Sequence, residues 1–275
     1  MMSSYSVLFK MSDGNFLASS DTPVNFLPPG YYHYDKGVMG VSFIPQIIDS
    51  SKIILDDIQT GVYQKIINFW TARPKYLDLG ITHKRGILLF GPPGTGKTTL
   101  LRYAIKDHIA RGGVVLSLMS PSEFRDAVEA FKDINGPDCR LLVVIEDLEE
   151  TYEESLSIAL DGIGAVDNTL FIATTNFLKK VSKRLSNRPS RFDEKIEMGY
   201  PEEMSRSAYI HALSPSLSNN DVFFITKISE DMSQAHIKEL IIQKTIYGMS
   251  DDDLENLSDK FREQCADWED EEDDD

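Results

Sequence analysis

Residues 91–99 read Gly91-Pro92-Pro93-Gly94-Thr95-Gly96-Lys97-Thr98-Thr99. The spacing G-x-x-x-x-G-K-[ST] is that of a phosphate-binding loop. Gly91, Gly94 and Gly96 let the backbone bend so that several N–H groups face one concavity, which cradles a polyphosphate. Lys97 can neutralise charge on the β- and γ-phosphates, and the Thr98 hydroxyl can complete a Mg²⁺ shell that also holds phosphate oxygens. A helix after the loop would turn its positive N-terminal end toward the same anion.

The flanks support this. Gly86-Ile87-Leu88-Leu89-Phe90 is a short apolar run of the kind a buried parallel strand needs. From Thr99 to Ile109 there is no Gly or Pro, and Leu100, Leu101, Tyr103, Ala104, Ile105 and Ile109 suit a helix buried on one side. A Gly-rich turn that binds nothing has no use for the Lys97-Thr98 pair.

The 275 residues suffice for one large domain or two modest ones, and 41% hydrophobic content is that of a globular protein with a core. No stretch approaches the roughly 20 apolar residues that span a bilayer. Met1-Met2-Ser3-Ser4-Tyr5 lacks the basic and apolar regions of a secretion signal. Cys139 and Cys265 are too few for a disulfide framework or a metal knuckle, so a reducing, cytoplasmic setting is expected. Residues 267–275 carry eight acids and no base, half of the net charge of −16. A run this dense repels itself and is expected to be disordered. Such acidity argues against coating nucleic acid by charge.

Four regions follow. Residues 1–50 form a β-rich, aromatic N-terminal segment, with strands around Tyr5–Phe9 and Val41–Ile44 and a break at Leu27–Tyr32. Residues 51–200 alternate strands and helices. The predicted helices are Asp56–Trp70, the one after the P-loop, Pro121–Lys132 and Glu154–Leu160. The strands are Val114–Leu118, the very apolar Leu141–Ile145, and Leu170–Asn176. Such alternation predicts a parallel sheet covered on both faces, with ligands beyond the strand C-termini. Residues 201–265 read as a helical lid, with helices over Glu202–Leu213, Gln234–Tyr247 (Ser233 as N-cap) and Asp251–Cys265. Residues 266–275 are the acidic tail. The fold class is α/β: a P-loop NTPase sheet sandwiched by helices, then a small lid.

Phosphoryl transfer to water needs an acid at a neighbouring strand end and a group that orients the attacking water. Glu146-Asp147 ends the strand Leu141–Ile145, and Asn176 ends the strand after it. Two acids at the end of so apolar a strand are costly unless used.

With these residues in place the chain resembles the AAA family of ATPases from about Leu79 through Tyr200, and more weakly to about Tyr247. Lys84–Thr98 is similar to that family's lead-in and Walker A motif, Val143–Asp147 to Walker B, and Thr174-Thr175-Asn176 to sensor 1. Arg188-Pro189-Ser190-Arg191-Phe192-Asp193 is similar to its second region of homology. Within the family, Leu156–Asn176 looks most like the mitochondrial ATPases that assemble respiratory complex III. The resemblance implies ATP held by Gly91, Pro92, Pro93, Gly94, Thr95, Gly96, Lys97, Thr98 and Thr99, and Mg²⁺ held by Thr98, Glu146 and Asp147. It implies Asn176 as sensor, and Arg188 and Arg191 as fingers reaching the next subunit's nucleotide. Fingers supplied in trans imply a homo-oligomeric ring, with a hexamer the expected size.

Three departures qualify that picture. The family's Asp-Glu order is inverted at Glu146-Asp147. By position Glu146 serves the Mg²⁺ shell and Asp147 is the base, but by chemistry the two can exchange, or Glu149 can assist. Ser233-Gln234-Ala235-His236 stands where the lid motif reads Ser-Gly-Ala-Asp, with no arginine nearby to act as a second sensor, and His236 suits a helix surface. Between Val114 and Leu141 no aromatic–apolar–Gly pore loop occurs, since Phe124 and Phe131 follow a helical pattern, so polypeptide threading is not supported. The leading expectation is a ring-forming ATPase that remodels or assembles a protein partner, with no membrane. The alternatives are an ATP switch or loader with little turnover, and a nucleic-acid motor supported only by the basic stretch Lys179–Arg191.

Overall fold

The computed structural model describes residues 8–10, 16–18, 26–37, 40–118, 123–148, 167–181 and 192–274. The predicted helix over Glu154–Leu160, and Glu149, Arg188 and Arg191, lie outside them.

The centre is a sheet whose strands run β1-β2-β4-β3-β6-β7-β8-β5-β9 across the molecule. Its parallel part comprises β5 (Lys84–Phe90), β6 (Val114–Ser117), β7 (Leu141–Ile145), β8 (Thr169–Thr175) and β9 (Glu194–Glu197). β7 is buried at every position, and so is β8. That is why both read as unbroken apolar or β-branched runs rather than alternating ones. β5 lies between β8 and β9, with Leu88 opposite Ala173 on one side and Lys195 on the other. The P-loop therefore leaves from a strand with neighbours on both edges.

The N-terminal strands β1 (Leu8–Lys10), β2 (Phe16–Ala18), β3 (Gly30–Gly37) and β4 (Gly40–Pro45) continue this sheet. β3 and β4 form an antiparallel hairpin, and β3 adds to β6 in parallel, pairing Tyr31 with Val115 and His33 with Ser117. The sequence predicts a segment packed on the domain. Backbone pairing instead makes it the sheet's extension, and the edge of β6 is covered. The aromatics Tyr32, Tyr34 and Phe43 are core.

The two sheet faces bury separate cores. On one, α1 (Asp57–Thr71) and α3 (Lys97–Ala110) cover Ile87, Leu89, Val115 and Val144 with Val62, Ile66, Leu100 and Leu101. On the other, α4 (Phe124–Asn135) brings Ala127, Val128 and Phe131 against Leu116, Val143 and Phe171. Phe131 is fully buried there, as its helical spacing predicts.

A short helix α2 (Arg73–Asp78) follows α1. Pro74 starts it rather than merely ending α1, because proline is tolerated in a first turn. The C-terminal region, expected to be the lid, contains α5 (Glu203–Leu213), α6 (Asn219–Ile228), α7 (Gln234–Thr245) and α8 (Asp251–Asp274). It has its own core of Ile210, Ile225, Ile237, Leu240 and Leu254. The helix α8 runs on to Asp274, through the stretch that charge density marks as disordered. No Gly or Pro interrupts it. Among the described residues no helix is long and apolar enough to cross a membrane.

Candidate active site

The P-loop joins β5 to α3. Its last glycine, Gly96, sits at φ 91°, in the left-handed region. A Cβ there would meet Gln59 Nε2 at 2.0 Å and Gln234 Oε1 at 2.7 Å. At Gly91 a Cβ would lie 2.5 Å from the Met198 carbonyl oxygen. At Gly91 the backbone itself leaves no room for a side chain, and at Gly96 one would need a left-handed backbone and displacement of the buried Gln59 amide.

Lys97 opens α3 and is buried. Its Nζ donates to the carbonyl oxygens of Gly91 (2.6 Å) and Pro92 (2.7 Å). Burial pushes the ammonium down to about 8, against the opposing charge of Asp147. A lysine so desolvated gains strongly from an arriving anion. Thr95 Oγ1 donates to Pro92 O at 2.9 Å and stiffens the loop from within.

Beyond the C-terminal ends of β7 and β8 the chain delivers Asp147 and Asn176. Asp147 has φ 51°. Aspartate is among the few side chains that enter this region readily, which gives a backbone reason for Asp at this position. Its N–H donates to Thr174 Oγ1 at 3.1 Å, and the next N–H, of Leu148, donates to Thr174 O at 2.7 Å. The acid-bearing turn is thus pinned to the strand that ends in Asn176.

These groups converge on a cleft of about 400 Å³. Pro93, Gly94, Gly96, Lys97, Thr98 and Thr99 form its floor, and Asp147, Thr174 and Asn176 one wall. Glu146 is exposed and does not line the cleft. It lies toward β3, where the Tyr31 phenol is raised mainly by burial and further by the Glu146 charge, with a Ser117 hydrogen bond opposing. Gly91, Pro92 and Thr95 support the floor from behind and are buried.

The remaining walls come from residues that motif spacing does not mark. Residues 51–54 cross the cleft as a strap. Arg102 of α3 donates to Asp49 Oδ2 and Ser51 Oγ at 2.7 Å each, and Lys52 Nζ donates to Ala212 O at 2.7 Å, capping α5. The lid contributes Tyr209, Leu213, Gln234, Ala235 and Lys238. Lys52, Lys97, Arg102 and Lys238 oppose Asp147 alone in this lining, so a chain of net charge −16 concentrates cations where an anion would sit.

His236 is half-buried rather than on the surface. It packs on Phe261 of α8, and its Nδ1 faces Ser233 Oγ at 3.0 Å and Cys265 Sγ at 3.5 Å. Burial lowers its pKa.

The Thr98 hydroxyl and the Asp147 carboxylate, both exposed to the cleft, are hard oxygen donors that fit Mg²⁺. Among the described residues no three His, Cys, Asp or Glu side chains gather into a metal cage. The donor set suits a cation that shares its shell with phosphate and water.

Residues 87–200 match the ATPase family associated with various cellular activities (AAA). Those residues form an AAA ATPase domain. The chain is similar to the Saccharomyces cerevisiae vesicular-fusion protein SEC18, at 26% identity over 277 residues, covering 85% of this chain and 34% of the relative. It is similar to the mitochondrial inner membrane i-AAA protease supercomplex subunit YME1 of the same yeast, at 27% identity over 67% of this chain and 27% of the relative. A third relative is the ATP-dependent zinc metalloprotease FtsH 2 of Symbiobacterium thermophilum, at 27% identity over 70% of this chain and 37% of the relative. The chain spans about a quarter to a third of the length of the yeast relatives.

Proposed function

We propose that this chain binds ATP with Mg²⁺ in the cleft and hydrolyses it, and that it works in a ring to remodel or assemble a protein partner. The observation that carries the hydrolytic part is the meeting of Lys97, Thr98, Asp147 and Asn176 in one cleft. Lys97 and the loop N–H groups hold the β- and γ-phosphates. Thr98, with Asp147 or Glu146, would hold Mg²⁺, which would supply neutralisation of the phosphate charge. Asn176 orients a water in line with the γ-phosphorus. Asp147 takes a proton from that water as its oxygen bonds to phosphorus and the bond to ADP breaks. Its cleft-facing position supports Asp147 as base and leaves Glu146 a supporting electrostatic role. Arg188 and Arg191, outside the described residues, are the fingers this reading assigns to a neighbouring subunit's site. The protein partner is supported by the kind of relative: SEC18 is named for vesicular fusion.

The test is steady-state ATPase with Asp147→Asn and Glu146→Gln beside wild type. Asp147→Asn is expected to lower turnover by about 100-fold or more, the usual range for loss of a general base, while ATP still binds. Glu146→Gln is expected to cost less. Full turnover in Asp147→Asn would place the base elsewhere. Tight ATP binding with negligible wild-type turnover would replace hydrolysis by a binding switch.

A further inference from the structure

Beside the P-loop stand three almost wholly buried polar side chains that hydrolysis does not use: Asp56 (9% exposed), Gln59 (0%) and Gln234 (5%). They form a closed circuit. Asp56, the N-cap of α1, accepts from Gln59 N at 2.8 Å, and Asp56 N donates to Gln59 Oε1 at 3.1 Å. Gln234 Nε2 donates to Asp56 Oδ2 at 2.6 Å, and Gln59 Nε2 donates to Gln234 Oε1 at 3.1 Å. The Gln59 amide also donates to Thr95 O of the P-loop at 3.3 Å. Alongside, Ala235 N donates to Gly94 O at 3.1 Å. One circuit therefore touches the helix before the loop, the loop backbone, and the first turn of the lid helix α7. It also abuts the Cα of Gly96, so its amides fill the space a side chain there would take.

Buried hydrogen-bonding groups are costly to leave unpaired. Parting the lid from the P-loop breaks the Gln59–Gln234 and Gln234–Asp56 bonds together, a cost met only once water reaches the freed groups. We infer that Asp56, Gln59 and Gln234 are positioning residues that latch the lid to the P-loop and so set nucleotide affinity. This rests on the reading of the cleft as the nucleotide site. With the latch shut, the strap, the lid wall and the phosphate cradle are one preorganised surface. With it open, a nucleotide must first order them.

A polarity swap tests the latch. Gln234→Glu keeps the shape but removes the donor to Asp56 and sets two carboxylates together. Adding Asp56→Asn restores a donor–acceptor pair in the opposite sense, since the new amide donates to the new carboxylate. Titration with a non-hydrolysable ATP analogue is expected to show affinity weakened tenfold or more in Gln234→Glu, and returned to within threefold of wild type in the double variant. If Gln234→Glu fails to fold, Gln234→Ala serves, with a loss of about fivefold expected. Wild-type affinity in Gln234→Glu or Gln234→Ala, or a folded double variant that binds no better than Gln234→Glu, overturns the latch. Amide exchange at Ala235 reads the latch without any nucleotide: it is expected to rise at least tenfold in Gln234→Glu and to fall back in the double variant. Unchanged exchange overturns the latch, whereas a wild type that binds no nucleotide removes the reading of the cleft while exchange still reports the latch.

Discussion

Binding of ATP should draw a proton from solution, and Lys97 sets the pH at which this happens. In the free protein burial holds its ammonium at about 8, with Gly91 O and Pro92 O its hydrogen-bond partners. Phosphate oxygens in the cleft favour the charged form and restore a value near the ordinary lysine figure of about 10.4. The sign follows: the bound-state pKa is the higher, so the affinity is complete below pH 8 and is lost as pH rises between the two values. At pH 9 binding takes up about 0.9 proton, and at pH 7 only about 0.1. Between pH 7.5 and 9.5 the dissociation constant rises about 20-fold. Isothermal titration calorimetry with a non-hydrolysable analogue, in buffers of different ionisation enthalpy, counts the protons directly. Phosphate itself titrates near pH 6 and is almost wholly ionised above pH 7.5, so the count at pH 9 reports Lys97. Lys132 is the control, because burial also lowers it to about 8, but it donates to Cys139 O and Pro137 O before β7, away from the cleft. Lys132→Met should keep the uptake. No uptake at pH 9 in the wild type, or its loss in Lys132→Met, would refute the assignment of Lys97.

Gly96→Ala should abolish nucleotide binding and lower the thermal midpoint by several degrees. Left-handed strain costs about 1–2 kcal/mol, and displacing the buried Gln59 amide about 1–3 kcal/mol more; an unchanged melting curve would show the loop gives way freely. Phe131→Ala should lower the unfolding free energy read from urea titration by about 3–5 kcal/mol, typical of a fully buried phenylalanine, and a change near zero would mean this face of the sheet is not packed as described. Deleting residues 267–275 should leave basal ATPase within twofold, and loss of turnover would give the acidic end of α8 a part in the cycle.

What the sequence made legible was whatever local chemistry dictates. β7 and β8 are buried along their whole length, and their apolar runs announce it. The P-loop, Asp147 and Asn176 are legible because phosphate chemistry constrains spacing. β9 was missed because Glu194-Lys195-Ile196-Glu197 alternates charge and has one apolar residue, and pairing with β5 makes it a strand. β3 was hidden behind Pro28-Pro29-Gly30, which reads as a turn although the strand begins at Gly30 itself. The capping box was available in the spacing of Asp56 and Gln59. Its link to Gln234 was not, because the two glutamines are 175 residues apart and nothing local couples them.

The pairing of β3 with β6 has a mechanical consequence. Their shared register runs from Gly30 opposite Val114 to His33 opposite Ser117, with the strands parallel. Tension applied along β3 from the N-terminal side loads those rungs together, in shear, rather than one at a time as in unzipping. Force carried by β3 is shared with β4 on its other edge and passes through β6 to β7, the strand that leads into Asp147.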